Sequence, residues 1–134
     1  MRIPVLLALA LVAGPAAAQQ PAPPVVPQII DDSIPHSLTG QPGDAARGRA
    51  IVANRSVGLC LLCHSGPIAE ERFQGDISPT LSGAGSRWSE GQLRLRIVDG
   101  SRLNADTIMP AYYKPHGLQR VARNFEGKTI LSAA

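Results

Sequence analysis

Apolar positions in this chain form one unbroken run, two helical stripes and little else. The run covers residues 5–12; it follows Arg2 and leads into Gly14-Pro15 and the small residues Ala16-Ala17-Ala18. A charged head, a short apolar middle and an A-x-A site make residues 1–18 a secretory signal, cut after Ala18. The run is too short to span a bilayer as a stable helix, and no second one follows it. No cysteine follows the cut, so nothing points to a lipid anchor. The mature protein is expected in the periplasm, soluble and without a membrane span.

Residues 19–42 carry Pro21, Pro23, Pro24, Pro27, Pro35 and Pro42. Repeated proline removes backbone donors and favours extended chain, so this stretch is predicted to be a solvated linker or arm. Val25, Val26, Ile29 and Ile30 form an apolar patch in it that suits a partner or the domain surface; a plain spacer is the preferred reading. The first helical stripe follows Asp44, a side chain suited to capping, with Ala46, Ala50, Ile51 and Ala53 on one face of a helix over residues 45–54. Residues 65–88 are rich in Gly, Pro and Ser and read as a long structured loop. The second stripe is sharper. Ser89-Glu90-Gly91-Gln92 has capping-box spacing, Leu93 with Ile97 and Leu95 with Val98 share a face, and Gly100 reads as a left-handed stop. Residues 101–126 look irregular and 127–134 form a short tail. No alternating stretch is long enough for a strand. The prediction is a small, mainly α domain over residues 43–134.

Composition adds two constraints. Of 134 residues, 44% are hydrophobic and 17% charged, which suits a folded core rather than a disordered chain. Aromatics are few, and a domain this small often needs a staple or a bound group to complete its core. The net charge is +3, and ten of the eleven arginines lie between residues 47 and 123 without interleaved aromatics. Nucleic acid is therefore a poor partner; a solvated basic surface or a dock for an acidic protein fits better.

The chemistry is concentrated in Cys60-Leu61-Leu62-Cys63-His64, which holds both cysteines of the chain. C-x-x-C-H is the attachment sequence of haem c. Two thiols separated by two residues reach both vinyl groups on one porphyrin edge, and the next residue then lies under the iron, where imidazole is a strong neutral axial ligand. The competing readings are a thioredoxin-like redox pair, a zinc site and a structural disulfide. The first lacks its βαβ surroundings. The second needs four ligands where adjacent Cys63 and His64 cannot easily share one tetrahedral ion. The third closes too small a loop to stabilise much. One covalent haem c is expected, held by Cys60 and Cys63 with His64 on the iron.

For the sixth ligand, Met109 is the only methionine left after cleavage and is followed by Pro110. Thioether sulfur favours reduced iron, so His/Met ligation raises the potential and closes the iron to small molecules. The alternatives are that Met109 fills a core gap or that His116, in a Pro-Gly loop, binds instead; His36 lies in the arm and is expected to be exposed. Pro79, in Ser78-Pro79-Thr80-Leu81, is a candidate to accept from His64 Nδ1–H and orient the ring, with a plain turn proline as the alternative. Arg87, Arg94, Arg96 and Arg102 are each candidates for a haem propionate or for solvated surface.

The order helix, C-x-x-C-H, Pro-x-Leu, helix, Met-Pro resembles the small class I cytochrome c pattern. Phe73-Gln74-Gly75-Asp76-Ile77-Ser78-Pro79, Arg87-Trp88-Ser89-Glu90-Gly91-Gln92-Leu93-Arg94-Leu95-Arg96-Ile97-Val98-Asp99 and Ile108-Met109-Pro110-Ala111-Tyr112-Tyr113 resemble the SoxX family more narrowly, as do Leu118-Gln119-Arg120-Val121 and Gly127-Lys128-Thr129-Ile130-Leu131. The resemblance implies a monohaem subunit with His64 and Met109 as axial ligands. Its partner would be a SoxA-like dihaem or monohaem cytochrome that holds the catalytic site. The pair would couple thiosulfate oxidatively to a cysteine of a SoxYZ-like carrier, an L-cysteine S-thiosulfotransferase activity. This chain would accept the electrons and pass them to a soluble cytochrome c, with no catalytic residue of its own. A free electron shuttle, and a haem enzyme or sensor with an open iron site, are the readings outside that scheme. The resemblance further implies a C-terminal helix packed across the first one. The sequence ends at Ala134, two residues beyond Ser132, the expected cap, so most of that helix is expected to be missing and the product destabilised.

Overall fold

The computed structural model describes residues 25–133. The signal segment and cleavage site read over residues 1–18, and the arm's first three prolines, lie outside them.

Among the described residues, three α-helices and three single 3-10 turns are joined by long loops, and the only β pairing is one antiparallel bridge between Ile30 and Ser33. Helix α1, Ala45–Ala53, starts where Asp44 accepts from the Arg47 amide at 2.9 Å, satisfying a donor that the first turn leaves unpaired. The apolar face expected for α1 is not packed: Ala46 and Ala50 are exposed and Ile51 is half-buried. Methyl-sized side chains reach little, and α1 is tied down by charge instead, through a two-pronged Arg49–Glu70 pair. Glu70 is held at a pKa of about 2 by the Arg49 guanidinium.

The stretch expected to be one loop over residues 65–88 contains a helical turn, α2, Ala84–Arg87. It is entered through Gly83 at φ +69, a conformation that glycine adopts without strain. Helix α3, Glu90–Asp99, carries the expected capping box: Ser89 Oγ accepts from Gln92 N at 3.2 Å, and Gln92 Oε1 accepts from Ser89 N at 2.9 Å. Its stop differs from expectation. Gly100 is right-handed, at φ −60, and opens the 3-10 turn Gly100–Arg102. The break is made one residue earlier by Asp99, whose backbone leaves helical geometry while its carboxylate accepts from Ser101 Oγ and pairs with Lys114.

The core forms on α3. Leu95 and Val98 pack with Tyr113 and with Ile34, which is only 1% exposed, and Ile29, Leu38 and Ala133 lie against this cluster. The solvated spacer expected over residues 19–42 is therefore corrected for its second half. Ile34 donates from its amide to Gly91 O at 3.0 Å, its carbonyl accepts from Arg94, and Asp32 accepts from Gln92 Nε2 at 2.6 Å. Gly91 permits this approach, since a Cβ there would come within 3.1 Å of Ile34 O. Proline removes donors but leaves apolar side chains and carbonyls available, and those are what α3 takes up. His36 is exposed, as expected. Among the described residues no helix is long and apolar enough to cross a membrane.

If residues 29–38 are core rather than spacer, Ile34→Ala should destabilise the domain by about 2–4 kcal/mol in a denaturant melt. Val26→Ala, at a position 89% exposed, should stay within about 0.5 kcal/mol. Equal effects from the two variants would restore the spacer reading.

Candidate haem site

The chain enters the C-x-x-C-H segment through a forced turn. Asn54 Oδ1 accepts from Ser56 N and Val57 N at 2.9 and 3.1 Å. Gly58 then passes so close to α1 that a Cβ would sit 2.2 Å from Ile51 O. Leu59 follows at φ +60, a left-handed conformation uncommon outside glycine. It delivers the 3-10 turn Cys60–Leu62, in which Cys63 N and His64 N both donate to Cys60 O, at 3.2 and 2.9 Å. The turn buries Leu61 completely, leaves Leu62 exposed, and sets Cys60, Cys63 and His64 half-buried. Neither thiol is in a disulfide.

A second strip of chain lies along this one. Gly75 N donates to Leu61 O at 2.9 Å, Ser78 N to Cys63 O at 3.0 Å, and Leu81 N to Ser65 O at 2.7 Å. A Cβ on Gly75 would meet Leu62 O at 2.3 Å and Cys63 Cα at 2.7 Å, so only glycine lets the two backbones approach this closely. Gln74 braces the intervening loop, accepting from Gly66 N and donating to the carbonyls of Ile68 and Glu71. The strip places the Pro79 carbonyl 2.6 Å from His64 Nδ1. A carbonyl only accepts, so Nδ1 carries a proton, and in the neutral imidazole the lone pair is then on Nε2. The donor set therefore fits a covalent haem: two unpaired thiols, and an imidazole already in the tautomer that binds iron through Nε2. Among the described residues no three His, Cys, Asp or Glu groups gather as a metal site.

Met109 arrives on a separate loop. Its amide donates to Thr107 Oγ1 at 3.2 Å and its side chain is half-buried. The loop's far end is pinned to α3, where Tyr112 N donates to Ile97 O at 3.0 Å and Tyr113 N to Val98 O at 3.2 Å. Lys114 Nζ completes the anchor, 2.9 Å from Asp99 Oδ2. Burial raises the Asp99 pKa, but the Ser101 hydroxyl and the Lys114 ammonium outweigh it and hold the carboxyl below its ordinary range. Buried Tyr112 lies beside Cys60: burial, then the neighbouring sulfur, pushes its pKa up to about 12, and burial likewise raises the Cys60 thiol. The tyrosine thus links the methionine loop to the first thiol. His116 is exposed.

The crystal structure of SoxXA from P. pantotrophus is similar to this chain, with a TM-score of 0.68 and 36% sequence identity over 81% of this chain and 80% of that one. The chain belongs to the SoxX family. No family model and no curated protein matches it. The SoxX-like stretches are the ones that build the site: residues 73–79 form the second strip, 87–99 form α3 and its approach, and 108–113 form the methionine loop.

Three of the four arginines considered for a propionate are engaged with backbone. Arg87 donates to the carbonyls of Thr80 and Ser82, Arg94 to Ile34 O, and Arg96 to Gln92 O while lying 3.7 Å over the Trp88 ring; Arg102 is exposed. Sequence reasoning missed the bracing by Gln74, the close approach at Gly75 and the Asp99–Lys114 clamp. The first two sit in a SoxX-like stretch that marked them without giving a reason. The clamp has no signal, because its partners are distant in sequence.

Gly75→Ala should force the strips apart and cost about 2–3 kcal/mol in a denaturant melt; a neutral alanine would show that the approach is not required. For Asp99, the depressed pKa contributes stability that is present above the ordinary aspartate range and lost as pH falls through the folded value. Asp99→Asn should therefore cost about 1–2 kcal/mol near pH 7, and the difference from the parent should shrink in melts at progressively lower pH.

Proposed function

We propose that this chain is an exported electron-transfer cytochrome with one haem c, attached through Cys60 and Cys63 and ligated by His64 and Met109. We further propose that it is the electron-accepting subunit of a complex with a SoxA-like haem protein. The observation that carries the reading is the His64 tautomer: a proton on Nδ1, given to Pro79, beside two unpaired thiols at attachment spacing. Family membership supports the partner, since SoxXA is the complex whose structure this chain resembles. Residues 1–18 would direct it to the periplasm.

When bound, the haem supplies a one-electron acceptor. Cys60 and Cys63 would hold it covalently, and His64 would supply Nε2 to its iron. Pro79 keeps the Nδ1 proton in place, which makes the imidazole a better donor. The Met109 thioether, carried on a loop anchored to α3, would favour reduced iron and exclude small ligands. No side chain need act as acid, base or nucleophile. The coupling of thiosulfate to the cysteine of a SoxYZ-like carrier would take place on the partner, with the electrons leaving through this chain to a soluble cytochrome c.

Mass spectrometry of the product secreted from a host able to mature c-type cytochromes should show the polypeptide plus one porphyrin; the bare polypeptide mass would overturn the assignment. In the same preparation, Met109→Ala should abolish the long-wavelength band of oxidised iron–methionine coordination, and a SoxA-like haem protein should co-purify. A clean monomer that is not reduced by thiosulfate and the partner would make it a free shuttle instead.

A further inference from the structure

Arg87 lies outside the C-x-x-C-H segment and on the surface, where a long charged side chain ordinarily keeps its rotamer freedom. Here it is folded back onto the chain. Its Nη1 donates to Ser82 O at 2.6 Å and its Nη2 to Thr80 O at 2.9 Å. Gly83 makes room beneath it: a Cβ there would come within 3.2 Å of Nη1. A planar guanidinium with paired donors can bridge two carbonyls in this way, and a lysine ammonium on its flexible stem cannot hold both in a fixed geometry.

The bridged carbonyls follow the ligand's partner directly in the chain. Thr80 O is one peptide along from Pro79 O, which accepts from His64 Nδ1. The Pro79 carbonyl lies in one planar peptide with Thr80 N, so its direction follows the placement of Thr80. Three bonds hold the His64 side of this segment: Ser78 N to Cys63 O, Leu81 N to Ser65 O, and Thr80 Oγ1 to Ser65 O at 3.2 Å. Leu81 N shares a planar peptide with the Thr80 carbonyl, so its bond to Ser65 O holds that peptide by its N–H edge, and Arg87 holds it by the opposite, carbonyl edge. Arg87 is itself seated on a firm base, because the next residue, Trp88, lies under Arg96 of α3.

We infer that Arg87 is a positioning residue for the iron ligand: by bridging Thr80 and Ser82 it fixes the Pro79 carbonyl against His64 Nδ1, and so sets the orientation and basicity of the imidazole. The inference rests on the haem reading above and adds a residue that acts on the ligand from outside the coordination sphere. Arg87 thereby has a structural partner in the protein itself, in place of a propionate.

The test uses the mature holoprotein, its covalent haem verified by mass, so that a failure of attachment in the parent is separate from a failure here. Arg87→Gln, Arg87→Lys and, as a charge control, Arg47→Gln at an exposed position of α1 are compared by NMR. The His64 Nδ1 proton should exchange with solvent about tenfold faster in Arg87→Gln, with displaced paramagnetic shifts of the His64 ring protons. The amides of Leu95 and Val98 should exchange as in the parent, which general loosening would not allow. Arg47→Gln should leave the Nδ1 proton unchanged. If Arg87→Gln fails to retain haem, Arg87→Lys carries the test, and faster Nδ1 exchange is expected there too. Parent-like exchange at Nδ1 in a haem-bearing Arg87 variant, or equal acceleration in Arg47→Gln, would overturn the inference.

Discussion

One backbone carbonyl governs the chemistry available to this chain. Pro79 O accepts from His64 Nδ1, and that single bond selects the tautomer, holds the ring and leaves Nε2 as the ring atom available to a ligand partner. The surrounding irregular structure serves it. The two strips of chain over residues 61–65 and 75–81 have no regular ladder, yet three backbone bonds and a glycine contact keep them in register. A domain with so little regular secondary structure places its ligand by close backbone approach rather than by a helix face.

Helix α3 is the second organising element. Its first turn receives the N-terminal segment at Gly91, Gln92 and Arg94. Its middle supplies Leu95 and Val98 to the core, and its last turn receives the methionine loop at Ile97, Val98 and Asp99. The two loops that carry the candidate axial ligands thus share one scaffold: the His64 side through Trp88 and Arg96, the Met109 side through the Asp99–Lys114 pair. A shift of α3 would reach both.

The parts of this arrangement that were legible in the sequence are those with local signatures. The capping box at Ser89 and Gln92, the Asp44 cap, the C-x-x-C-H turn and the role of Pro79 all depend on residues near one another in the chain or on a recurrent motif. The burial of Ile34 was hidden because proline-rich composition argues for extended chain, and extended chain can be either solvated or laid on a helix. Gly100 ends α3 where the local sequence suggests, but it is right-handed; the backbone turns away at Asp99, whose partner Lys114 is one that pattern alone does not bring to it. The short helix α2 has no apolar periodicity to announce it; it exists as the turn that brings Arg87 over Thr80 and Ser82.

The contacts that seat Ile34 on α3 join residues 60 positions apart. Those between the two strips at the candidate haem site join positions such as 64 and 79, separated by 15. Closing the longer loop costs about 1 kcal/mol more in chain entropy, which gives assembly a direction. The strips can pair as soon as residue 81 is available, ahead of any docking by the N-terminal segment. The turn that carries Cys60, Cys63 and His64 can thus take shape while the rest of the chain is still open.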